Sequence, residues 1–296
     1  MSRNAKVWTA LVTVYIIWGS TYLGIAYAGE TIAPLFAAST RFITAGALMT
    51  ILVLLVRRGT LRMGRPELIS CMVIGILLPG ANSVLFFAER NVPTGLASLI
   101  IASVPLMVML ERLAIGRERL PWPVLAGIGV GFAGVAILAQ PSGGAKPWGI
   151  ALCVLSALMW STGSFLSSRL PMPEDPFSAT AVEMLTGGLV MLPLSLFTLH
   201  GFSPSTTSVL AWVYLVIFGS IIGYTAYVWL LANAPLGLVS TYAYVNPVVA
   251  ITLGVLFRGE DLTWRLLIGA AIVVVAVATV VRREPPVAAH AEDAVR

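Results

Sequence analysis

Ten long apolar runs, separated by short polar connections, determine what this chain can fold into. A helix needs roughly 20 apolar residues to cross a hydrocarbon layer ~30 Å thick. Each run is close to that length, and the connections are too short to contain a soluble domain. The sequence therefore predicts an all-α membrane protein with ten transmembrane helices. The runs cover approximately Val7–Gly29, Pro34–Val56, Leu68–Phe87, Thr94–Leu113, Pro121–Ala139, Trp148–Ser168, Phe177–Leu199, Ser208–Leu231, Leu236–Phe257 and Trp264–Val281.

The composition places most of the chain in lipid. Hydrophobic residues make up 58% of the 296 positions and charged residues only 10%, whereas roughly 25% of the residues of a soluble globular protein are charged. The formal charge of +5 comes from short basic clusters between the apolar runs, not from one continuous basic face. We therefore expect the lipid bilayer as a partner and no nucleic acid.

The basic residues also predict an orientation. With the N-terminus in the cytoplasm, twelve Lys and Arg residues lie near the cytoplasmic helix ends and four near the opposite ends. Loops rich in Lys and Arg remain on the cytoplasmic side of a membrane. The sequence therefore predicts that both termini are cytoplasmic.

The chain matches itself at a shift of 142 residues without a gap. Chance agreement between apolar segments mostly involves Leu, Val and Ala, but here Trp and Pro residues coincide in loops as well as in helices. Such self-similarity indicates an internal duplication. The coinciding pairs include Trp18 with Trp160, Pro34 with Pro176, Pro93 with Pro235, Pro105 with Pro247, and Trp122 with Trp264.

Each copy contains five predicted helices, an odd number, so the second copy would enter the membrane upside down relative to the first. An inverted repeat of this kind can open one central site to either side of the membrane in turn, which favours a carrier. The predicted units are 1–140 and 141–283. The tail 284–296 is expected to be disordered and cytoplasmic.

Two matching segments, Gly95–Pro105 and Gly237–Pro247, are each followed by a glutamate and a glycine-rich helix. Together with Trp18-Gly-Ser-Thr-Tyr and Arg41-Phe, they resemble the EamA-type exporters of the drug/metabolite transporter superfamily. The resemblance extends over nearly the whole chain. It implies the export of amino acids, including aromatic ones, and of related metabolites or drugs across the bacterial inner membrane.

Two local features bear on the shape of the helices. The charged pair Glu111-Arg112 lies where that family is usually apolar, and we expect it to shorten the fourth helix. A proline inside a membrane helix removes a backbone hydrogen bond and bends the helix. We therefore expect Pro105 and Pro247 to kink two helices around a cavity, with simple packing as the alternative.

A substrate path needs polar and aromatic side chains that face the interior. On the third predicted helix, Pro79, Asn82, Ser83 and Phe86 recur at spacings of three and four residues and share one face. Aromatic rings could stack on an apolar or aromatic substrate while hydroxyl and amide groups orient its polar end. The alternative for each aromatic residue is helix packing or an interfacial belt. The candidate substrate-binding residues are Trp18, Pro79, Asn82, Ser83, Phe86, Ser98, Ala102, Trp160, Ser164, Tyr224, Tyr244 and Asn246.

Two charges, Arg41 and Glu183, lie inside predicted helices at equivalent positions of the repeat. An intramembrane charge is a functional candidate. Because the copies are inverted, each charge would lie roughly 10 Å deep from an opposite surface, so no direct ion pair is expected. We expect snorkelling or a hydrogen bond to a neighbouring helix, with proton coupling by Glu183 as the alternative. Glu118 and Glu260 precede the fifth and tenth helices, where a carboxylate can cap the positive end of a helix dipole.

Other function classes fit the sequence less well. An enzyme at membrane depth would need nucleophiles, metal ligands or paired carboxylates, but His200 and His290 lie in a loop and in the tail. Cys71 and Cys153 lie in apolar runs and are expected to be inert buried thiols. A channel-like facilitator or an importer of small solutes remains an alternative to an exporter. We expect a small-molecule substrate, no metal and no cofactor, and nothing in the sequence requires more than a monomer.

Overall fold

The computed structural model describes residues 3–56, 63–117, 121–138, 145–199, 203–239 and 241–282. Within these ranges the chain forms helices and short connections, without a β-strand. One segment, Leu215–Tyr224, has the wider winding of a π-helix. The α-helices are α1 (Arg3–Ala28), α2 (Pro34–Val56), α3 (Arg65–Ala88), α4 (Thr94–Ile101), α5 (Val104–Ala114), α6 (Trp122–Leu138), α7 (Pro147–Ser167), α8 (Pro176–Phe197), α9 (Thr206–Tyr214), α10 (Thr225–Asn233), α11 (Leu236–Val239), α12 (Tyr242–Arg258) and α13 (Trp264–Arg282).

Seven helical stretches in the described residues are long and apolar enough to cross a membrane. Three further apolar stretches, Trp122–Gly134, Val245–Arg258 and Trp264–Ala276, are shorter. The predicted all-helical membrane class is therefore confirmed, whereas helix length alone does not establish the number ten. The seven stretches are Asn4–Ala28, Pro34–Val56, Arg65–Ala88, Thr94–Ala114, Pro147–Ser167, Pro176–Phe197 and Thr206–Asn233.

The helices that carry Pro105 and Pro247 are shaped differently. α4 ends at Ile101 and α5 begins at Val104, so that Pro105 lies in the first turn of α5, where its missing N–H is not needed. Pro247 instead lies inside α12, which begins at Tyr242. The two copies therefore depart from a straight helix at different places.

A second departure from regular winding is shared by the two copies. Pro79 lies inside α3, and its equivalent in the repeat, Ile221, lies in the π-helical segment. Proline removes one helical hydrogen bond, and π-helical turns change the partners of backbone carbonyl groups. Both copies therefore depart from regular α-helical winding at equivalent positions.

Two pairs of repeat-equivalent helices pack directly on one another: α2 lies against α8, and α6 against α13. Between α2 and α8 the approach depends on a repeat pair of glycines. A Cβ atom on Gly46 would lie 2.8 Å from the backbone nitrogen of Leu185, and one on Gly188 would lie 2.8 Å from that of Ile43. Small residues of this kind let membrane helices come close together.

The charged pair Glu111-Arg112 does not shorten its helix, because α5 continues to Ala114. The Glu111 side chain is instead buried against α7. Its Oε1 accepts hydrogen bonds from the hydroxyls of Ser161, at 2.9 Å, and Thr162, at 2.7 Å. Hydroxyl donors from a neighbouring helix thus make a charged residue compatible with a continuous helix at this position.

One end of the bundle, formed by the connections 29–33, 89–93 and 259–263 and called here the Glu30 end, joins the two copies by polar contacts. Arg258 forms a salt bridge with Glu30, with 2.7 Å between Nη1 and Oε1. The Glu260 carboxylate accepts the backbone N–H groups of Thr94, at 2.8 Å, and Gly95, at 3.0 Å. Glu260 therefore caps α4 of the other copy, whereas the sequence suggested α13. Its repeat partner, Glu118, lies outside the described residues.

Glu89, the residue after α3, also lies at the Glu30 end. Both of its carboxylate oxygens are buried and find no hydrogen-bond partner in the part of the chain that the structure describes. Burial raises the pKa of this carboxyl well above its ordinary value of 4.5, the charge of Glu260 raises it further, and Arg258 lowers it. The folded chain therefore favours the protonated form of Glu89.

This shift predicts a pH dependence of stability. A carboxyl whose pKa is higher in the folded than in the unfolded chain stabilises the fold fully below the unfolded pKa, and the contribution is lost as pH rises through the folded pKa. We expect the apparent melting temperature in detergent to fall as the pH rises above about 4.5. Glu89→Gln should remove this component and be the more stable form at neutral pH. Glu174→Gln, at an exposed position, should keep it. An unchanged pH profile in Glu89→Gln would exclude this role.

Candidate functional site

Four aromatic side chains from four helices meet in the centre of the bundle. Trp18 of α1 lies 5.3 Å from Trp160 of α7, 4.8 Å from Tyr227 of α10 and 5.5 Å from Tyr242 of α12, measured between ring centroids. The contacts with Trp160 and Tyr242 are edge to face, which is a favourable arrangement for aromatic pairs. Because Trp18 and Trp160 are repeat equivalents, the cluster lies where the two copies meet.

Three members of this cluster, Trp18, Trp160 and Tyr242, form part of the wall of a cavity of about 50 Å³. The other walls come from Arg41 and Phe42 of α2, Asn82 of α3, Tyr224 of the π-helical segment and Asn246 of α12. A cavity of this size can hold a few water molecules, whereas sites for small organic ligands typically have volumes of roughly 300–1,000 Å³. A metabolite could occupy it only if the surrounding helices move apart.

Arg41 is almost fully buried, with 2% of its surface exposed. Its Nε donates to Oγ of Ser220 at 2.7 Å, and its Nη1 donates to Oδ1 of Asn82 at 3.0 Å. Its guanidinium carbon lies 4.9 Å from the centre of the Phe42 ring. A Cβ atom on Gly219 would lie 2.8 Å from Nη2, so the absence of a side chain there makes room for the guanidinium group.

Glu183 makes the equivalent contact in the other copy. Its Oε2 accepts a hydrogen bond from the Tyr224 hydroxyl at 2.7 Å. The shift of 142 residues that relates Arg41 to Glu183 also relates Asn82 to Tyr224. One ancestral contact between two helices has therefore become a guanidinium–amide pair in one copy and a carboxylate–phenol pair in the other. As the sequence suggested, each charge is bonded to a neighbouring helix.

The two tryptophans differ in their hydrogen bonds. Nε1 of Trp18 donates to the carbonyl of Gly219, in the π-helical segment, at 3.3 Å. Nε1 of Trp160 is buried and makes no hydrogen bond of good geometry to the described residues, although the hydroxyls of Tyr227 and Tyr242 lie close to it.

Asn246 supplies a polar group that the first copy lacks, since its repeat equivalent is Val104. With its amide nitrogen turned toward the backbone, it donates to the carbonyl oxygens of Tyr15, at 3.2 Å, and Tyr242, at 3.3 Å. The cavity thus offers amide and guanidinium groups beside aromatic surfaces.

The structure brings together some of the predicted site residues. Trp18, Asn82, Trp160, Tyr224 and Asn246 line the cavity. Ser164 does not line the cavity, but its hydroxyl lies 2.8 Å from that of Tyr227, a member of the aromatic cluster. The side chain of Tyr244 lies outside the described residues.

The structure does not place the remaining predicted residues in this cavity. Pro79 packs against Gly187 of α8, where a Cβ atom on the glycine would approach it to 2.5 Å. Ser83 donates to the Pro79 carbonyl of its own helix, and Ser98 donates likewise to the Gly95 carbonyl. Phe86 and Ala102 are buried, and neither side chain lines the cavity.

Sequence reasoning missed several residues of the wall. Tyr22 lies in the motif Trp18-Gly-Ser-Thr-Tyr and could have been found as the residue one helical turn after Trp18. Tyr242 could not be preferred to Tyr244 without the start of α12. Arg41 was identified as an intramembrane charge but not as part of the site.

Comparison with known proteins gives one family. Residues 6–140 and 147–282 each match the model of the EamA-like transporter family. The chain is 39% identical over 262 residues to the uncharacterized inner membrane transporter YedA of Escherichia coli, covering 86% of this chain and 83% of that protein. It is 28% identical to a probable terminal-alkyne amino-acid exporter of Streptantibioticus cattleyicolor, covering 96% and 95% of the two chains.

A solved crystal structure has the same fold. It is 23% identical in sequence and superimposes with a TM-score of 0.67, covering 94% of this chain and 96% of that one. The likeness extends over both copies of the repeat, so the arrangement of helices described above is that of a known fold.

Proposed function

This chain belongs to the EamA-like transporter family, and we propose that it exports small metabolites, chiefly amino acids with aromatic or hydrophobic side chains, across the bacterial inner membrane. The observation that carries the proposal is the central cavity, where Trp18 and Trp160, one from each copy, meet beside Arg41 and two amide side chains. Aromatic rings suit an apolar side chain, and amide and guanidinium groups suit the polar end of an amino acid.

The architecture in this proposal is ten transmembrane helices in two inverted units, 1–140 and 141–283, with a cytoplasmic tail at 284–296. Seven full spans and three shorter apolar helices together make ten, and the family model matches once in each half. The excess of Lys and Arg at one set of helix ends supports cytoplasmic termini. With an odd number of crossings in each unit, the two copies face opposite sides of the membrane.

The proposed mechanism is alternating access. The cavity lies where the copies meet, and the Glu30 end is held together by the Arg258–Glu30 salt bridge and by the Glu260 cap on α4. In inverted repeats, exchanging the conformations of the two copies opens the site to the opposite side. Breaking the contacts at the Glu30 end would open the cavity there.

The amino-acid substrate also draws support from a relative. The protein of Streptantibioticus cattleyicolor that covers almost the whole chain is named a probable amino-acid exporter. At 28% identity, this name supports a class of substrate and not a particular one.

The test is transport by purified protein in proteoliposomes. We expect efflux of radiolabelled phenylalanine, tryptophan or leucine to saturate with concentration and to accelerate when unlabelled substrate is present on the opposite side. Runs with and without a proton gradient identify the driving force, and sided addition of a membrane-impermeant thiol reagent to single-cysteine variants checks the topology. Ohmic currents without saturation would indicate a channel-like facilitator. Uptake that is driven against a gradient only in the inward direction would indicate an importer.

A further inference from the structure

Arg41 is a cation in the wall of the central cavity without an anion beside it. No acidic side chain of the described residues lies within 4.0 Å of its guanidinium group, and its partners are the neutral side chains of Ser220 and Asn82 and the ring of Phe42. A buried charge is normally paired with an opposite charge. Arg41 is therefore unusual among buried charged residues, because no anionic side chain of the described residues pairs with it.

The geometry leaves part of the guanidinium group available. Nε and Nη1 each donate one hydrogen bond to protein, whereas Nη2 packs against Gly219 without a hydrogen-bond partner among the described residues. A guanidinium group has five N–H donors, so donors remain after the bonds to Ser220 and Asn82. Arginine binds carboxylates through two parallel N–H bonds.

The other intramembrane charge does not neutralise the cavity. Glu183 is bonded to Tyr224 and, unlike Arg41, does not line the cavity. The charged group at the cavity wall is therefore positive. A cavity of this kind attracts an anionic group and repels a cationic solute that has no carboxylate.

We propose that Arg41 recognises a carboxylate of the transported solute, and that this chain selects small carboxylates with an aromatic or apolar body over organic cations of the same shape. The proposal rests on the proposed function in taking the central cavity as the transport site. The body of the solute would lie against Trp18 and Trp160. An ammonium group on an amino acid could lie against the aromatic faces.

The experiment uses four solutes with one phenyl body: phenylalanine, 3-phenylpropionate, phenylalaninamide and phenethylamine. Binding to the purified protein is measured by tryptophan fluorescence, and transport is measured by counterflow in proteoliposomes. We expect the two carboxylates to bind and to be transported about 10- to 100-fold better than the amide and the amine, because a charge-assisted hydrogen bond is lost in the latter. Equal transport of phenylalanine and its amide by the unaltered protein would overturn the inference.

Two variants of Arg41 distinguish the effect of its charge from the effect of its bidentate geometry. Arg41→Gln should lose the preference for carboxylates, and Arg41→Lys should recover part of it because it keeps the charge without the bidentate geometry. Glu183→Gln, which removes the repeat-equivalent charge, should keep the preference. Size-exclusion profiles and melting curves establish that each variant is folded, and the four-solute series on the unaltered protein tests the inference even if a variant is not.

The outcomes also separate this inference from the proposed function. Transport of 3-phenylpropionate without phenylalanine would refute amino-acid export and support carboxylate recognition by Arg41. Transport of all four solutes at equal rates would support a broad exporter and refute the role of Arg41. Absence of binding and transport for all four would refute both.

Discussion

Trp18→Ala is expected to reduce transport by about tenfold or more, because the loss of an aromatic anchor in a desolvated site costs about 2 kcal/mol or more of binding. Trp18 contacts the three other rings of the aromatic cluster, Trp160, Tyr227 and Tyr242, and its N–H donates to the Gly219 carbonyl. Removing the indole deletes these contacts, and only those of Tyr227 with Trp160 and Tyr242 still hold the other rings together. We therefore expect both a higher KM for export and a lower melting temperature.

A matched substitution separates the site from general effects. Trp264, the first residue of α13, is 80% exposed in this structure, so Trp264→Ala removes the same side chain at a surface outside the cluster and should leave the KM unchanged. Trp18→Phe should retain much of the transport because it keeps a ring in the cluster. The measurement is initial export rate against substrate concentration, normalised to folded protein. If Trp18→Ala exported with the KM of the unaltered chain, the cavity would not be the transport site.

The fold could be predicted from the sequence because lipid leaves few alternatives to the chain. In a bilayer the backbone must satisfy its own hydrogen bonds, so apolar runs of sufficient length become helices whatever their neighbours. The 142-residue repeat then identified Trp18 and Trp160 as a related pair. That the two rings meet is a finding of the structure.

The face of each helix that meets the cavity was less predictable. The spacing on α3 grouped Pro79, Asn82, Ser83 and Phe86, but only Asn82 reaches the cavity. Close packing of α3 on α8 covers Pro79, the Ser83 hydroxyl bonds to its own helix, and Phe86 enters another apolar cluster. Helical spacing identifies residues on a shared face, but tertiary packing determines what that face contacts.

Contacts between the two copies also could not be predicted from local sequence. Glu260 precedes α13 in the chain, yet its carboxylate caps α4, because the connection folds across the Glu30 end. The equivalence of the Arg41–Asn82 and Glu183–Tyr224 contacts could be stated only after one of them was known. Once it is known, the shift of 142 residues identifies the other without further geometry.

The last prediction concerns the contact between α3 and α8, on which the positions of both Asn82 and Glu183 depend. Gly75 of α3 lies against the backbone of α8: a Cβ atom on it would be 2.4 Å from the carbonyl oxygen of Glu183 and 2.9 Å from its Cα. Backbone atoms cannot move aside as a flexible side chain can. Gly75→Ala should therefore push the two helices apart and destabilise the fold by about 1–3 kcal/mol or more.

Gly129 of α6 provides the matched control for Gly75→Ala. A Cβ atom there meets nothing within 4 Å, so Gly129→Ala adds the same methyl group to an apolar helix without a clash. We expect its melting temperature to be unchanged or slightly higher, because alanine favours helix by about 1 kcal/mol over glycine. Melting curves of the two variants in one detergent measure the difference. Equal melting temperatures would mean that α3 and α8 are not in backbone contact, and the placement of Glu183 against α3 would then have to be revised.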